Sequence, residues 1–443
     1  MIEKTERKRR RNFLQSILKK LEILSDAAKY DVSCSSSGSK RGGQAGKLGS
    51  ALPAGCCHTW TEDGRCVSLL KVLMSNACCY NCIYCINRSS NDVPRATFSP
   101  RELADLTMEF YRRNYIEGLF LSSAVVKNPD YTMERMIQVL KILRWEYGFR
   151  GYIHAKIIPS SAPELVEEIG CLADRISVNM EFATPRSLAL LAGEKSHRKI
   201  LEPINYIRQR TVQNTKELVR YRHAKAFAPA GQTTQVIIGA TPERDELLLR
   251  MSEGLYRKFG LKRVYYSAYI PLVSDTKLPA VTTMPPLRRE HRLYQADWLL
   301  RFYGFESREI LDEEHPDLDL EVDPKISYAL RHPELYPVEI NRADYQTLLR
   351  VPGIGVVSAR RIIGARRYAS LDEMALKRIG VVLKRAKYFI TVKGKFLGEC
   401  TPDNPYLHEV LRDRQNFSQM SLYDTATVSG FVREEKSHVL LPG

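Results

Sequence analysis

The sequence lacks long apolar runs. Its 443 residues contain no uninterrupted apolar stretch of the roughly 20 residues that a membrane-spanning helix needs. A secretory leader is not expected either, because the basic run 7–11 is followed by neither an apolar segment nor a small-residue cleavage site. These two absences argue against a transmembrane protein and a secreted one, and they predict a cytoplasmic protein.

A disulfide framework is not expected, although the chain has 10 cysteines. Such frameworks stabilise small secreted domains, whereas thiols in a long chain without a leader stay reduced and often bind metals. The sequence also lacks a second pair of Cys or His residues at short spacing after Cys85. A structural zinc site would need that pair to complete its ligands.

The most specific motif is the C-x3-C-x2-C run of Cys78, Cys82 and Cys85. Three thiolates can hold three irons of a [4Fe–4S] cluster and leave the fourth iron open, whereas an electron-transfer ferredoxin closes its cluster with four. The spacing, with the aromatic Tyr84 before the last cysteine, resembles the radical S-adenosylmethionine (SAM) superfamily. That resemblance implies that the open iron binds SAM and that the reduced cluster yields a 5′-deoxyadenosyl radical. A zinc knuckle and free thiols are the alternatives.

Segments of strand length alternate with helical patterns through the first two-thirds of the chain, as in a parallel sheet. Ser177, Asn179 and Glu181 form a polar face opposite apolar neighbours, and so do His154 and Lys156. A doubly wound sheet would be apolar on both faces. We therefore predict an α/β fold, an incomplete six-stranded (β/α) radical SAM barrel, which the resemblance also implies. The predicted strands are residues 67–74, 118–123, 151–158, 175–181, 234–239 and 263–270.

The cysteine loop follows the first strand, at the strand ends where α/β barrels carry their chemistry. By resemblance to radical SAM enzymes, polar residues at other strand ends are candidates to bind SAM. Ile237 and Gly239 resemble a motif near adenine, although the glutamate comes one residue late, at Glu243. An ordinary polar barrel lining is the alternative. The candidates are Ser122 and Ser123 for the methionine amino group, Lys156 for the carboxylate, and Asn179 and Glu181 for the ribose.

Cysteines upstream of the motif form a second candidate metal site. Cys34, Cys57 and Cys66, with Cys56 and His58 nearby, flank or follow a Gly/Ser-rich stretch that we expect to be a flexible loop. These thiols could hold an auxiliary iron–sulfur cluster. Buried structural thiols are the alternative.

A helix–hairpin–helix pattern lies near the C-terminus. Residues 349–362 match L-x-x-P-G-h-G-x-x-x-A-x-x-I, with Pro352, Gly353 and Gly355 in the turn. Small turn residues let a phosphate approach the backbone N–H groups that begin the second helix. A degenerate second copy spans 370–386, so we predict a small all-α domain of paired hairpins.

The charge of this region favours a nucleic-acid partner. Residues 341–395 contain thirteen Lys and Arg against three Asp and Glu, a net charge of +10 out of +16 for the chain. Backbone contacts position a protein on DNA without specifying its sequence. A protein-interaction hairpin with a solvated basic face is the alternative. The cations expected to contact phosphates are Arg360, Arg361, Lys384 and Arg385.

These motifs together resemble a family of radical SAM proteins associated with DNA modification and repair. The resemblance covers about residues 21–395 and includes the segments 28–34, 94–98, 112–123 and 294–301. It implies a uracil-DNA-glycosylase-like partner protein, and radical SAM chemistry implies an electron donor such as flavodoxin or ferredoxin. The expected function is radical modification or repair of DNA. A radical enzyme for RNA or a protein partner is the alternative, and an iron–sulfur DNA sensor ranks last because it needs no open iron.

The expected domain organisation has five parts. They are an N-terminal helix with a Cys/Gly/Ser-rich segment at 1–66, the barrel at 67–305, a linker at 306–338, the helix–hairpin–helix domain at 339–395 and a loose tail at 396–443.

Overall fold

The computed structural model describes residues 2–28, 56–60, 66–221 and 223–413. Two compact units make up these residues. The first holds the described residues of Met1–Thr241 and Leu255–Pro285, and the second those of Pro242–Gly254 and Pro286–Gln419. None of the helices in the described ranges combines the length and the apolar character that crossing a bilayer requires.

The first unit is built on one seven-stranded sheet with the strands in chain order. The six strands β2 to β7 run parallel, and β1 pairs antiparallel with β2. The first and last parallel strands are not neighbours in the sheet, so it stays open. This confirms the predicted incomplete barrel of six parallel strands. The strands are β1 (Cys56–Trp60), β2 (Cys66–Leu73), β3 (Gly118–Ser122), β4 (Tyr152–Lys156), β5 (Arg175–Ser177), β6 (Gln232–Ile238) and β7 (Arg263–Ala268).

The two faces of the parallel strands differ in polarity, as the alternation predicts. Ile153, Ala155 and Ile176 are completely buried. Opposite them, His154 Nε2 lies 3.0 Å from the Ser177 hydroxyl. Burial, helped by the nearby Arg175 and Lys156 charges, holds the pKa of His154 well below its usual value. The imidazole is therefore a neutral part of the polar lining.

Helices connect the strands. Ser99 accepts from the Glu102 backbone N–H at 3.2 Å while the Glu102 carboxylate accepts from the Ser99 N–H at 2.8 Å, a capping box that fixes the start of α2. The patterns predict no helix between 181 and 234, yet α5 and the long α6 lie there. The helices up to this point are α1 (Ile2–Ala27), α2 (Pro100–Arg112), α3 (Pro129–Lys141), α4 (Pro163–Leu172), α5 (Pro185–Leu191), α6 (His197–Arg220) and α7 (Asp245–Phe259), with a π-helical turn at Ile142–Glu146 after α3.

The second unit contains the two predicted hairpins. The first is α11, a turn and α12, and the second is α13, a turn and α14. The side chains that face inward from both hairpins form one hydrophobic core, which includes Leu348, Ile354 and Ile362 of the first hairpin. The helices of this unit are α8 (Leu287–Phe302), α9 (Ser307–Ile310), α10 (Pro324–Arg331), α11 (Tyr345–Arg350), α12 (Val356–Ala365), α13 (Glu373–Ile379), α14 (Leu383–Ala386) and α15 (Leu407–Leu411), with a 3₁₀ turn at Pro333–Leu335.

Two expectations for this unit need correction. The hairpin region is not purely helical, because β8 (Val338–Glu339), β9 (Ile390–Val392) and β10 (Lys395–Phe396) form a three-stranded sheet. The chain beyond 396 is not all loose tail either, since Leu407 of α15 is completely buried in the same core. Strands of two or three residues are too short to leave a period-2 pattern, and one turn of helix leaves no 3.6-residue pattern.

Gly353 joins the two hairpins. Its φ of +84° lies in the left-handed region, and a Cβ there would stand 2.5 Å from the Val382 carbonyl oxygen. The Val382 N–H also donates to the Gly353 carbonyl at 2.9 Å. Any side chain at this position would therefore push the hairpins apart.

We expect Gly353→Ala to destabilise the hairpin pair by about 1–3 kcal/mol, since it combines a strained φ with a backbone clash. Amide hydrogen exchange of the full chain should accelerate in peptides covering 345–390. Gly364→Ala is the matched control, because a Cβ at Gly364 meets nothing within 4 Å. Equal exchange in the two variants would contradict the proposed role of Gly353.

Candidate active site

The cysteine loop begins directly after β2 and is anchored to the strand beside it. The Met74 N–H donates to the Ser122 carbonyl at 2.8 Å, and the Cys79 N–H donates to the Val125 carbonyl at 2.8 Å. Residues 78–85 thus lie at the carboxyl ends of the parallel strands, as predicted.

One guanidinium organises the interior of this loop. Arg95 is a half-buried residue that donates to four backbone carbonyl groups, two from each terminal nitrogen. Because a loop has no ladder of its own, such donors replace the missing secondary structure. The four acceptors are Asn76 at 2.6 Å, Asn87 at 2.9 Å, Arg88 at 2.7 Å and Asn91 at 2.8 Å.

The end of α5 and the turn that follows it hold the loop from the other side. The Leu191 carbonyl accepts from the Ile83 N–H at 2.7 Å. The Glu194 carboxylate accepts from the Asn81 N–H at 2.9 Å. Lys195 follows at once, so this turn supplies both a loop anchor and a cationic side chain.

A single cavity of about 230 Å³ brings the predicted residues together. Cys78, Cys82 and Cys85 line it, and so do all five SAM-binding candidates. Sequence reasoning did not single out Lys195, Gln235 and Tyr269, which line it too. The five candidates are Ser122, Ser123, Lys156, Asn179 and Glu181.

Two buried polar networks border the cavity. In the first, the Lys156 ammonium donates to the Asn179 side-chain oxygen and, at 3.4 Å, to Gln235 Oε1. In the second, Lys195 Nζ lies 2.7 Å from a carboxylate oxygen of Glu181 and 3.5 Å from the Tyr84 hydroxyl. The second network therefore links the strand end to the cysteine loop.

Glu181 has a left-handed backbone with φ of +62°. Its N–H donates to the Gln235 carbonyl at 3.1 Å, and its carbonyl accepts from the Ile237 N–H at 2.7 Å. A non-glycine residue in this region is uncommon and costs energy that surrounding contacts must offset. The bridge to β6 and the ion pair with Lys195 supply those contacts.

The protonation of the site follows from burial and charge. Burial lowers the pKa of Lys195, but the charge of Glu181, with the Tyr84 and Cys82 side chains, outweighs it and raises that pKa well above its usual value. Lys195 is therefore a permanent cation. Burial raises the pKa of Cys82 to about 11 and that of Cys85 to about 12, so both thiols are protonated at neutral pH in the metal-free protein.

The three thiols that line the cavity are of the kind and number that a [4Fe–4S] cluster with one open iron needs. No three His, Cys, Asp or Glu side chains within the described ranges form a group that could hold one metal ion. A [4Fe–4S] cluster differs because each thiolate binds its own iron atom. The cavity also contains an unsatisfied donor that a polar ligand could use: the Tyr269 hydroxyl is buried without a hydrogen-bond partner among the described residues.

Other predicted positions are less informative. Ile237 lines the cavity and Gly239 has φ of +82°, whereas Glu243 belongs to the second unit. Cys34 lies outside the described residues. Cys57 and Cys66 are described by backbone register alone, opposite Leu69 and Trp60, so the auxiliary cluster stays a prediction.

The predicted DNA-binding residues all lie in the second unit. Pro352 is buried in the turn, and Gly355 caps α12 with an ordinary extended φ of −96°. Two of the four cations have protein partners: Arg361 donates to the Ile379 carbonyl at 3.1 Å, and Arg385 pairs with Asp323 at 2.9 Å. The exposed residues Arg360 and Lys384 therefore become the better candidates for phosphate contact.

The turn of the first hairpin also binds a lysine that its motif does not include. Lys325 of α10 is buried and donates to the Ile354 carbonyl at 2.6 Å. Its Nζ lies 4.7 Å from the centre of the Tyr303 ring. Burial lowers the pKa of Lys325 to about 7.

Comparisons with known proteins identify one domain. Residues 72–246 match the profile of the Radical SAM superfamily, so the chain contains a domain of that superfamily. This range includes the cysteine loop and the candidate residues that line the cavity up to Gln235 and Ile237. Among curated proteins, no relative matches this chain.

Solved structures that are similar to this chain include a hydrogenase maturase and two radical SAM methyltransferases. HydG, a maturase of the [FeFe]-hydrogenase, is 14% identical over 51% of this chain and 48% of its own, with a TM-score of 0.39. A radical SAM methyltransferase from Sphaerobacter thermophilus is 12% identical over 54% of this chain and 69% of its own, with a TM-score of 0.36. TsrM from Kitasatospora setae is a radical SAM methyltransferase with cobalamin and a [4Fe–4S] cluster bound. It is 12% identical over 90% of this chain and 70% of its own, with a TM-score of 0.33. The chain spans about half the length of HydG.

We expect Cys82 and Cys85 of the metal-free protein to react with iodoacetamide at pH 8 about two hundredfold and about two thousandfold more slowly, respectively, than an ordinary thiol, because only the thiolate is nucleophilic. Their rates should keep rising with pH to about 11 and 12. Cys79, exposed in the same loop, should react first. Rates for Cys82 and Cys85 that level off near pH 9, measured by peptide mass spectrometry, would contradict this prediction.

Proposed function

We propose that this enzyme of the radical SAM superfamily holds a [4Fe–4S] cluster on Cys78, Cys82 and Cys85 and acts on DNA, to modify or repair it. The superfamily implies the cluster and SAM. The observation that carries the cofactor assignment is one cavity lined by the three thiols and by all five polar candidates.

Different residues of the cavity bind different groups of SAM in this proposal. A reduced [4Fe–4S] cluster bound there would supply one electron for the cleavage of a C–S bond of SAM into methionine and a 5′-deoxyadenosyl radical. The Ser122 and Ser123 hydroxyls can accept from the methionine amino group. The Lys156 ammonium donates to the side-chain oxygens of Asn179 and Gln235 at the edge of the cavity, and its positive charge suits the SAM carboxylate.

Glu181 and Lys195 have a joint role in this proposal. The carboxylate of Glu181 suits the ribose hydroxyls, and the ion pair with Lys195 orients it towards the cavity. Lys195 also contacts Tyr84 in the cysteine loop, which ties the ribose end of the ligand to the cluster end. Apolar residues such as Ile157 and Leu272 complete the lining and would keep water from a reactive radical.

The DNA assignment depends on the second unit. Its hairpins carry most of the chain's net positive charge, and clustered Lys and Arg attract a phosphate backbone. Arg360 and Lys384 are exposed on the two hairpins. A uracil-DNA-glycosylase-like partner and a flavodoxin or ferredoxin as electron donor remain part of the proposal, and RNA or a protein partner is the alternative substrate.

We expect the triple variant Cys78→Ala, Cys82→Ala, Cys85→Ala to lose reductive SAM cleavage, because no iron would present an open position. The measurement is 5′-deoxyadenosine formed by anaerobically reconstituted, reduced protein. Cys79→Ala is the control, since the Cys79 thiol points to the Lys127 carbonyl, 3.4 Å away, and does not line the cavity. Full cleavage by the triple variant would refute the cluster assignment.

Iron analysis of the same triple variant tests the auxiliary site. Iron and sulfide that persist after reconstitution would support a second cluster at Cys34, Cys57 and Cys66. Iron content near zero would make these cysteines structural.

We expect duplex DNA affinity to fall steeply with salt, with a log–log slope of about −0.9 per phosphate neutralised. Arg360→Ala with Lys384→Ala should weaken binding and reduce the magnitude of that slope by about two, one for each cation removed. The control is Arg208→Ala with Lys216→Ala, which removes the same charge from exposed positions of α6. A flat salt dependence in the unmodified protein would favour the protein-partner alternative.

A further inference from the structure

An exposed aromatic patch lies on α8 and is formed by Trp298 and Phe302, with the mostly buried side chain of Arg301 against their rings. Trp298 is 52% exposed and Phe302 is 47% exposed. Their ring centres lie 4.3 Å apart with a tilt of 47°. Exposed apolar side chains that lie together mark interaction sites more often than exposed side chains scattered singly.

A buried carboxylate holds the patch in place. Arg301 Nε donates to Asp297 Oδ2 at 2.8 Å, and the Asp297 side chain is completely buried. The guanidinium carbon lies 4.7 Å from the Phe302 ring centre and 5.9 Å from that of Trp298. The cation and both rings therefore form one pre-organised surface.

The patch continues into the first hairpin. Tyr303 follows Phe302 directly, and a Cβ at Gly355, the cap of α12, would lie 3.4 Å from its hydroxyl. Burial raises the pKa of Tyr303, while interactions of its hydroxyl with the Trp298 side chain and the Val356 backbone N–H oppose that rise. The Trp298 ring thus lies beside the turn whose charged neighbourhood we assign to phosphates.

We propose that this patch stacks on unpaired bases of the nucleic acid whose backbone the hairpins bind, an inference that rests on the proposed DNA function. Aromatic rings that accept base faces beside a positively charged surface are how proteins bind single strands, and the rings do not discriminate between bases. An arginine held against the rings adds cation–π attraction. Two side chains are far too small for a stable protein dimer, which buries about 800 Å² on each partner.

If the patch stacks on unpaired bases, the substrate is DNA in which at least one base is unpaired, such as a single strand, a gap or an extruded nucleotide. A radical formed in the cavity at the strand ends would reach a base only after that base leaves the stack, because enzymes that do chemistry on a base act on single strands or extrude the base from the duplex. The patch would then hold neighbouring unpaired bases near the hairpins.

The test compares a labelled short single strand with a duplex, using the full chain and fluorescence anisotropy. Trp298→Ala should lower single-strand affinity about tenfold, which corresponds to about 1.4 kcal/mol and lies within the contribution of one base stacked on an aromatic ring. Duplex affinity and the salt slope should stay as they are. Trp298→Phe should retain most of the affinity, and Phe302→Leu, a milder change for folding, should show the same selective loss.

The matched control is Trp145→Ala. Trp145 is 65% exposed and has the Lys141 ammonium 5.5 Å from its ring centre, so it resembles Trp298 in exposure and cation contact. Its removal should change neither affinity. Intrinsic fluorescence quenched by the single strand in the unmodified protein, and lost in Trp298→Phe, would support stacking directly.

The two proposals fail in different ways. If duplex binding keeps its salt dependence but Trp298→Ala and Phe302→Leu bind the single strand normally, the stacking inference is overturned and the DNA proposal stands. If the unmodified protein binds neither nucleic acid, the DNA proposal falls and the inference falls with it.

Discussion

The four hydrogen bonds of Arg95 are the interaction on which the candidate active site depends. The cysteine loop has only a few isolated backbone hydrogen bonds of its own, such as the one from the Asn91 N–H to the Arg88 carbonyl. One planar guanidinium gathers acceptors from residues 76, 87, 88 and 91, and so closes the segment on both sides of the cysteines. A planar guanidinium fixes the direction of its hydrogen bonds as well as their length. The loop must be held in this way if its three thiols are to bind one cluster.

The turn at 191–195 complements that constraint from outside the loop. It accepts two backbone N–H groups of the loop and carries Lys195, whose charge is balanced by Glu181. Glu181 in turn keeps an uncommon backbone conformation that its bonds to β6 offset. The loop, the turn and the strand ends therefore form one connected polar structure, and the cavity lies where they meet.

The sequence predicted the parallel strands and the cysteines because both leave local patterns, a period-2 alternation and a fixed spacing. The resemblance to radical SAM enzymes also pointed to five polar residues at the strand ends, and all five line the cavity. Lys195 and Gln235 escaped because no short motif marks a side chain that arrives from a distant turn or an inner strand position. Arg95 lies in the segment 94–98, which belongs to the family resemblance but had no role assigned to it. Its role in organising the loop follows only from the four carbonyl groups to which it donates. The short strands of the second unit and the single turn of α15 were beyond any periodicity argument.

Lys325 and Leu407 have a consequence for how the C-terminal region could exist by itself. The sequence pattern of the hairpins ends near residue 395, which suggests that residues 339–395 form an independent domain. Yet the first turn binds an ammonium from α10, the same core encloses Ala329 and Leu407, and Tyr303 packs against it. A piece cut at 339 and 395 would lose all four and expose the apolar surface that they cover. The smallest autonomous folding segment must therefore begin before the end of α8 and extend through α15.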